Sequence, residues 1–146
     1  MSQNFRLKKI GYINRDKKVS FRFNGKKYFG YEGDTLASAL LANGVHLVGR
    51  SFKYHRPRGF LGAGVEEPNA QVQLYSGAKT EPNAIATTIE LVEGLTAKSQ
   101  NCFPSVSFDF GAINNFLSKF FPAGFYYKTF MWPKSFWHKI YEPVIR

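Results

Sequence analysis

The residues best suited to chemistry lie together in one loop, RSFKYHRPRG, which begins at Arg50. Its basic side chains are Arg50, Lys53, His55, Arg56 and Arg58. Guanidinium groups bind phosphate or carboxylate oxygens in pairs, and nearby glycine amides add further donors. We therefore predict that these residues contact an anion, such as a flavin or nucleotide phosphate, or a charged face of another subunit.

Other reactive side chains give weaker signals. The sequence places no carboxylate clearly enough to orient His55, which argues against a general base. Glu66 and Glu67 look like a pair of catalytic carboxylates, but their position before Pro68 favours capping of a turn or neutralisation of the basic loop. Cys102 is the only cysteine, so an internal disulfide is excluded and the thiol has no recognisable catalytic partner. We predict no catalytic residue and no metal ligand.

A hairpin and a helix precede the basic loop. Alternation of apolar and polar residues on both sides of an Asn-Gly turn signal predicts a β-hairpin over 19–31. Asp34 or Thr35 can cap a helix over 35–43, whose apolar residues recur every three or four positions and which ends at an Asn-Gly pair. These two elements must hold the basic loop in place.

Two strands and an irregular extension are predicted after the loop. Alternation predicts strands over 70–75 and 85–92, with a polar loop over 76–83 between them. The remaining elements are predicted to be an extended segment or short strand over 105–110, a helix over 112–121 and a last helix over 136–141.

This order of elements is typical of an α+β protein with a β-grasp (ferredoxin-like) mixed sheet and one packed helix. A glycine-rich loop after the helix invites a [2Fe–2S] cluster, whose cysteines are spaced C-x4-C-x2-C with a fourth downstream. Here that spacing falls on Gly62, Glu67 and Ala70, and the fourth position falls near Ile85 or Ala86. None of these residues supplies a thiolate, so we predict that the chain binds no iron.

Composition narrows the class of partner. With 20 Lys and Arg against 10 Asp and Glu, the net charge of +10 favours nucleic acid, a cofactor phosphate, an acidic protein face or an anionic membrane. The 146 residues suffice for one domain and an extension. The polar start of the chain, the single cysteine and the absence of a long apolar run predict a cytoplasmic protein without a membrane span.

Three long runs carry a resemblance to a known family: GDTLASALLANGVHLVGRSFKYHRPRGFLGAGVEEPNA, FFPAGFYYKTFMWP and the ending KIYEPVIR. They resemble the N-terminal region of the α subunit of heterotetrameric sarcosine oxidase, and the resemblance extends from about Ile13 to Arg146. It implies a cluster-free ferredoxin-like module at the front of a larger subunit, followed there by a nucleotide-binding region and a folate-binding domain.

The resemblance also implies an activity for the whole complex. Enzymes of this family oxidise sarcosine with oxygen to glycine and hydrogen peroxide, and they pass the one-carbon unit to tetrahydrofolate. FAD, FMN, NAD and tetrahydrofolate are implied for the complex, whereas we expect none of them on this chain alone. The implied partners are other sarcosine oxidase subunits or the remainder of the α subunit, and the isolated chain is expected to be inactive.

We predict three parts: a basic N-terminal arm (1–17), a β-grasp domain without cluster ligands (18–98) and an aromatic-rich, partly helical interface extension (99–146). The extension contains FFPAGFYYKTFMWPKSFW, which has more aromatic rings than one small domain can bury. An interface with a partner is expected there, and a membrane-surface segment is the alternative.

The predicted function is a structural and interface module of a sarcosine oxidase-type complex. The alternative is an independent basic protein that binds nucleic acid, motivated by the net charge and by the aromatics Phe52 and Tyr54 between cations. The cations are dispersed and no nucleic-acid recognition motif is present, so we expect no nucleic-acid partner.

Overall fold

The regular structure begins with the predicted hairpin. In the computed structural model, which describes residues 3–76, 79–120 and Phe136, β1 (Asn14–Phe23) pairs antiparallel with β2 (Lys26–Glu32). Only Asn24 and Gly25 separate the strands, and both have positive φ, at 51° and 78°. That conformation is required by the two-residue turns that match the twist of a hairpin.

The predicted helix is also present, as α1 (Leu36–Ala42). Thr35 rather than Asp34 is the N-cap: its hydroxyl accepts the Ser38 amide proton, and the Ser38 side chain accepts the Thr35 amide proton. This reciprocal pair is a capping box. Asn43 ends the helix, and Gly44 follows with a positive φ of 77°.

Five short strands complete the regular β-structure of the described residues: β3 (Gly49–Arg50), β4 (Pro57–Arg58), β5 (Gln71–Ser76), β6 (Lys79–Ile85) and β7 (Thr96–Ser99). β3 and β4 form a separate antiparallel pair. The other strands form a sheet in the order β2-β1-β7-β5-β6, in which only the β1–β7 pair is parallel. A mixed five-stranded sheet with one packed helix confirms the predicted α+β, β-grasp class.

The core lies between the sheet and α1. Its largest fully buried apolar side chains come from β1, α1, β5 and the segment before β3: Phe21, Phe23, Leu36, Leu40, Val48 and Val72. Alternate residues of β1 point inward, which is why its sequence shows a clear two-residue period.

The predictions of a strand over 85–92 and of a polar loop over 76–83 are wrong. The strand in this region is instead β6, which covers most of the predicted loop. β6 is an exposed edge strand containing Pro82, and an edge strand tolerates proline because one side of its backbone has no partner. Its polar sequence therefore lacks the apolar alternation of a half-buried strand.

The apolar residues of 86–92 have a different role. They run alongside the N-terminal end of α1. There the Leu36 amide donates to the Ile89 carbonyl and the Leu91 amide donates to the Asp34 carbonyl, each at a distance of 2.9 Å. Leu91 is buried there against the core. Packing around the end of the helix therefore produces the same apolar alternation as a strand. The central strand, β7, has only four residues and was not predicted.

Short helical turns occupy the described part of the extension. A 3-10 turn (Phe110–Ala112), α2 (Ile113–Phe116) and a second 3-10 turn (Leu117–Phe120) replace the single helix predicted over 112–121. The segment 105–110 forms a tight turn closed by one bridge between Pro104 and Asp109, rather than a strand. The helix predicted over 136–141 lies outside the described residues apart from Phe136, as does most of the aromatic run.

The basic N-terminal arm contacts the domain at several points. Both terminal nitrogens of Arg6 bind the Asp34 carboxylate, at 3.0 and 2.6 Å, and Asp34 is almost fully buried. The Phe5 ring meets the His46 ring edge-on at 4.9 Å. Among the described residues, no helix is long and apolar enough to cross a membrane.

Candidate functional site

The β3–β4 pair positions the basic loop. The pairing of Gly49 with Arg58 and of Arg50 with Pro57 brings the two ends of the loop together. Inside the loop, the Ser51 amide donates to the Arg56 carbonyl and the His55 amide donates to the Ser51 carbonyl, both over 2.9 Å. His55 has a positive φ of 52°, which turns its side chain out of the regular hairpin path.

Asp109 is the carboxylate that orients His55. Its Oδ2 lies 2.7 Å from His55 Nδ1 and 3.6 Å from Arg50 Nε. Its other oxygen accepts the amide protons of Phe103 and Gly111 at 2.9 and 3.2 Å. The Asp109 side chain is fully buried. The expectation that no carboxylate is placed to orient His55 is therefore wrong, because the partner lies 54 residues further along the chain.

The charge of Asp109 is stabilised by these contacts. Burial raises the pKa of its carboxyl, but hydrogen bonds from the Phe103 amide, from His55 and from the Gly111 amide lower that pKa by more, so it lies below its ordinary value. Asp109 is therefore ionised at neutral pH and forms a fixed negative charge under the basic loop.

The guanidinium of Arg50 is hydrogen-bonded within this arrangement. Its Nε donates to the Val106 carbonyl at 2.8 Å and its Nη1 donates to the His55 carbonyl at 2.7 Å. Only 9% of its side chain is exposed. Arg50, His55 and Asp109 thus join the basic loop to the segment that follows the sheet.

The remaining basic residues point in different directions. Arg56 Nε donates to Asn115 Oδ1 at 2.9 Å, and its guanidinium lies 4.8 Å from the centre of the Tyr54 ring. Lys53 Nζ approaches the same ring at 5.0 Å, while Arg58 donates to the side-chain oxygen of Asn69. Of the predicted anion-binding residues, only Arg50 and Arg58 line a common cavity, of about 400 Å³.

Five amide side chains also line that cavity, together with Ser51, Phe52 and Pro68; the amides are Asn69, Gln71, Asn83, Gln100 and Asn101. No sequence pattern indicates this grouping, since these residues come from separate loops and strands. Lys53, His55 and Arg56 do not line it. The geometry brings two arginines together, and the other three basic side chains face the extension or Tyr54.

A second carboxylate organises the neighbouring glycine-rich loop. Glu67 is 98% buried, since only 2% of it is exposed. Its Oε2 accepts the amide protons of Leu61 and Gly62 at 2.6 and 2.5 Å, and its Oε1 accepts those of Asn69 and Ala70 at 2.7 and 3.1 Å. The role predicted for the carboxylates before Pro68, capping of the turn, is confirmed for Glu67.

Glu66 has the same role on the outside of the loop. Its Oε1 accepts the amide protons of Ala63 and Gly64 at 3.0 and 2.9 Å. The Thr87 hydroxyl donates to the Gly64 carbonyl at 2.7 Å and ties the loop to the segment after β6. The loop is therefore closed by its own side chains and by one contact to the domain.

Both carboxyls have pKa values below the ordinary one. For Glu67, burial raises the pKa, but the amide protons of Gly62, Asn69, Leu61 and Ala70 together lower it by more. For Glu66, backbone amides lower the pKa and burial opposes them only weakly. Both side chains are ionised at neutral pH.

The residues present do not fit an iron–sulfur cluster. Gly62 and Ala70 have no donor side chain, and the oxygens of Glu67 are already occupied by backbone amides. Within the described part of the chain, no group of three or more His, Cys, Asp and Glu side chains is arranged to hold a metal ion. Burial and the nearby Asp109 charge raise the pKa of the Cys102 thiol, which keeps it protonated at neutral pH.

Exposed aromatic side chains surround the turn that carries Asp109. The Phe108 ring contacts the Phe110 ring at 5.3 Å, and Phe103 lies 6.3 Å from the same ring. We call the apolar side chains exposed here the aromatic patch: Phe103, Phe108, Phe110, Ile113 and Phe116. Patches of this kind are uncommon on soluble monomers and mark surfaces that another molecule covers.

The sequence of this chain is similar to those of known proteins. A family described as "2Fe-2S iron-sulfur cluster binding domain" matches residues 16–102. The N-terminal region of sarcosine oxidase subunit alpha from Rhizobium meliloti (strain 1021) is 62% identical over 143 residues, which are 98% of this chain and 14% of that subunit. The corresponding subunit from Corynebacterium sp. (strain U-96) is 41% identical over 88 residues, 58% of this chain and 9% of that subunit.

A solved structure, L-proline dehydrogenase from P. horikoshii, superposes with a TM-score of 0.46 and 28% identity over 63% of this chain and 17% of that chain. This chain spans about a seventh of the length of the Rhizobium meliloti subunit. The matched residues include α1 and all of the sheet except the first two residues of β1. The chain therefore belongs to the 2Fe-2S iron-sulfur cluster binding domain family, as a member whose cluster loop is closed by a glutamate.

Proposed function

We propose that this chain is the N-terminal structural and interface module of a sarcosine oxidase-type flavoenzyme complex and is not catalytic by itself. In this proposal, other parts of the complex demethylate sarcosine to glycine and pass the one-carbon unit to tetrahydrofolate. FAD, FMN and NAD bind those other parts. The cytoplasmic location predicted from the sequence belongs to the same proposal.

The observation that carries the proposal is the 62% identity over nearly the whole chain to the N-terminal region of a sarcosine oxidase α subunit. The loops support a structural role. Glu67 and Asp109 are buried carboxylates that could do chemistry, but their oxygens are already hydrogen-bonded. Glu67 accepts backbone amide protons, and Asp109 binds backbone amides and His55. Such carboxylates position loops, and they leave little capacity to accept a proton from a substrate.

The aromatic patch is the surface we assign to the partner. The patch surrounds the turn that carries Asp109, and the contact between Asp109 and His55 holds this turn against the domain. Phe116 is 84% exposed, an unusual degree for phenylalanine. The partner we propose is the flavin-binding body of the complex, because aromatic residues are enriched in the buried centres of protein interfaces.

A chimera tests the proposal. Residues of this chain replace the matched region of the Rhizobium meliloti subunit, which is produced together with the other subunits of its complex. We expect an assembled complex that contains flavin and produces peroxide from sarcosine, whereas the isolated chain produces none. Assembly and turnover that are unchanged when the region is deleted altogether would contradict a structural role.

The patch is tested in the same chimera with Phe116→Ser. We expect a smaller fraction of assembled complex, measured by size-exclusion chromatography, and turnover per assembled complex close to that of the parent. Val92→Ser is the matched control, since Val92 is also exposed but lies away from the patch. Equal assembly of the two variants would remove the patch from the interface.

Nucleic-acid binding remains the second candidate because of the outer face of the sheet. This face, opposite α1, carries the exposed cations Lys18, Arg22, Lys27 and Lys98. A basic face binds the phosphate backbone with an affinity that falls steeply with salt. A salt-sensitive shift of a labelled oligonucleotide by the purified chain would favour this candidate over the enzyme module.

A further inference from the structure

The glycine-rich loop encloses an anion of its own. Four backbone amides from both ends of the loop converge on the two oxygens of Glu67, at 2.5 to 3.1 Å. The first pair of amides, Leu61 and Gly62, precedes the carboxylate in the chain, and the second pair, Asn69 and Ala70, follows it. Successive amides that point into one concavity form an anion-binding nest.

We propose that the Glu67 carboxylate replaces the iron–sulfur cluster as the anion around which this loop folds. When the C-x4-C-x2-C spacing is laid on the loop with Gly62 first, Glu67 falls at its middle position, and the flanking Gly62 and Ala70 donate their amides to the Glu67 oxygens. Thiolate clusters are anionic and accept hydrogen bonds at their sulfurs. The loop has kept the donors and exchanged the acceptor.

The contacts around Gly62 leave little free space for a side chain at that position. A Cβ atom added at Gly62 would lie 3.0 Å from Glu66 Oε1 and 3.4 Å from the Glu67 Cα atom. One at Gly64 would lie 2.6 Å from Glu66 Oε2. A cysteine at Gly62 would therefore require the Glu66 side chain, which closes the outside of the loop, to move.

Removal of the carboxylate would leave the buried amide of Ala70, and the partly buried amides of Leu61, Gly62 and Asn69, without this acceptor. Buried amide protons without partners are rare because each costs about 1–3 kcal/mol. Bonds to an ionised acceptor are also stronger than bonds between neutral groups. The loop should consequently depend on the charge of Glu67, and not only on the shape of its side chain.

Variants of the 146-residue chain test this dependence. We expect Glu67→Ala to lower the Tm by roughly 10 °C, since the loss of several charge-assisted bonds exceeds the few degrees that correspond to each kcal/mol. Glu66→Ala is the matched control: its carboxylate is exposed and accepts only two amide protons, so its Tm should fall less.

Chemical rescue separates an anion site from a simple packing role. Sodium formate should raise the Tm of Glu67→Ala more than sodium chloride does at equal ionic strength, while the parent and Glu66→Ala respond equally to the two salts. A Glu67→Ala protein as stable as the parent would overturn the proposal. So would equal responses of Glu67→Ala to the two salts.

The unaltered chain gives an independent test if the variant does not fold. In an NMR titration from neutral to acid pH, the amide signals of Leu61, Gly62, Asn69 and Ala70 should shift together with the Glu67 carboxyl carbon. Their common midpoint should lie below the ordinary glutamate value of 4.5. Amide signals that stay still while the Glu67 carboxyl titrates would overturn the proposal.

Discussion

Two neighbouring loops of this molecule are each organised by one buried carboxylate, but the carboxylates come from very different places in the chain. Glu67 lies within its own loop and binds amides no more than six residues away. Asp109 binds His55 across 54 residues and brings the segment after the sheet against the basic loop. The first carboxylate closes a loop, and the second connects two parts of the molecule.

The chemistry of the two sites differs as well. Glu67 accepts only backbone amides, which carry no net charge, whereas Asp109 also lies beside Arg50 and His55. Loss of the Glu67 charge removes an acceptor, but loss of the Asp109 charge also leaves a buried guanidinium without its counter-ion. A buried charge without a partner is more costly than an unsatisfied amide.

The two loops are joined at one point. Arg58, at the end of the basic loop, donates to the side-chain oxygen of Asn69, whose amide donates to Glu67. This bond places the guanidinium of Arg58 beside the glycine-rich loop and away from Asp109. Disturbance of Glu67 is therefore expected to reach Arg58 through Asn69, whereas disturbance of Asp109 acts on the extension, which Arg50 and Arg56 also contact.

The largest effect is expected from Asp109→Asn. It should lower the free energy of unfolding by about 3 kcal/mol, because Arg50 and the Phe103 and Gly111 amides lose the charge that they surround. Urea unfolding measures this loss. The residues after Ser99 should also be cut by protease at lower concentration than in the parent, since Asp109 attaches them to the basic loop.

Asp16→Asn is the control for that experiment, because Asp16 is an exposed aspartate in β1. Its free energy of unfolding should change by less than about 0.5 kcal/mol. Equal stability of the Asp109→Asn and Asp16→Asn proteins would show that the connection between the loop and the extension contributes nothing, and the contrast between the two carboxylates would then be lost.

The same contrast explains how much of the site was predictable. The capping role of the carboxylates before Pro68 could be predicted because every partner of Glu67 lies within six residues. The contact between Asp109 and His55 could not, since an aspartate followed by Phe-Gly has no pattern that points to a histidine 54 residues earlier. Only the folded sheet brings them together.

The fold follows the same rule. The hairpin and α1 were predicted because their turn, caps and apolar spacing are local. β6 was misplaced and β7 was missed because the positions of both depend on neighbours: β7 is a four-residue strand held between β1 and β5, and β6 is a polar edge strand. The predicted anion-binding role of Arg50, Lys53, His55, Arg56 and Arg58 stays a prediction.

A smaller effect is expected from Gly111→Ala, which tests how closely the extension packs on His55. A Cβ atom at Gly111 would overlap the imidazole ring that Asp109 holds. We expect a loss of about 1–3 kcal/mol in the free energy of unfolding, as for other overpacked contacts. In a His55→Ala background the added methyl group has room, so the loss caused by Gly111→Ala should largely disappear.

This double-mutant cycle distinguishes contact from backbone effects. Gly111 has no positive φ, so an alanine there is not strained by its own backbone. The coupling between the two substitutions therefore measures the packing of the ring against the turn. Additive losses would mean that His55 moves aside freely, and the link through Asp109 would then be loose instead of rigid.

The smallest effect on stability is expected from Arg56, and for that reason it isolates the interface. Arg56 binds Asn115 at 2.9 Å and stacks on Tyr54, but it is exposed, so Arg56→Gln should change the free energy of unfolding by less than about 1 kcal/mol.

Charge reversal by Arg56→Glu in the chimeric subunit should nevertheless reduce assembly if the basic loop faces a partner, because like charges across an interface are costly. Arg22→Glu in β1 provides a matched reversal of an exposed arginine outside the loop. Assembly, flavin content and turnover that are the same for both reversals would make Arg56 part of a solvated surface, and the role of the basic loop would then be confined to the buried contacts that Arg50 and His55 make with Asp109.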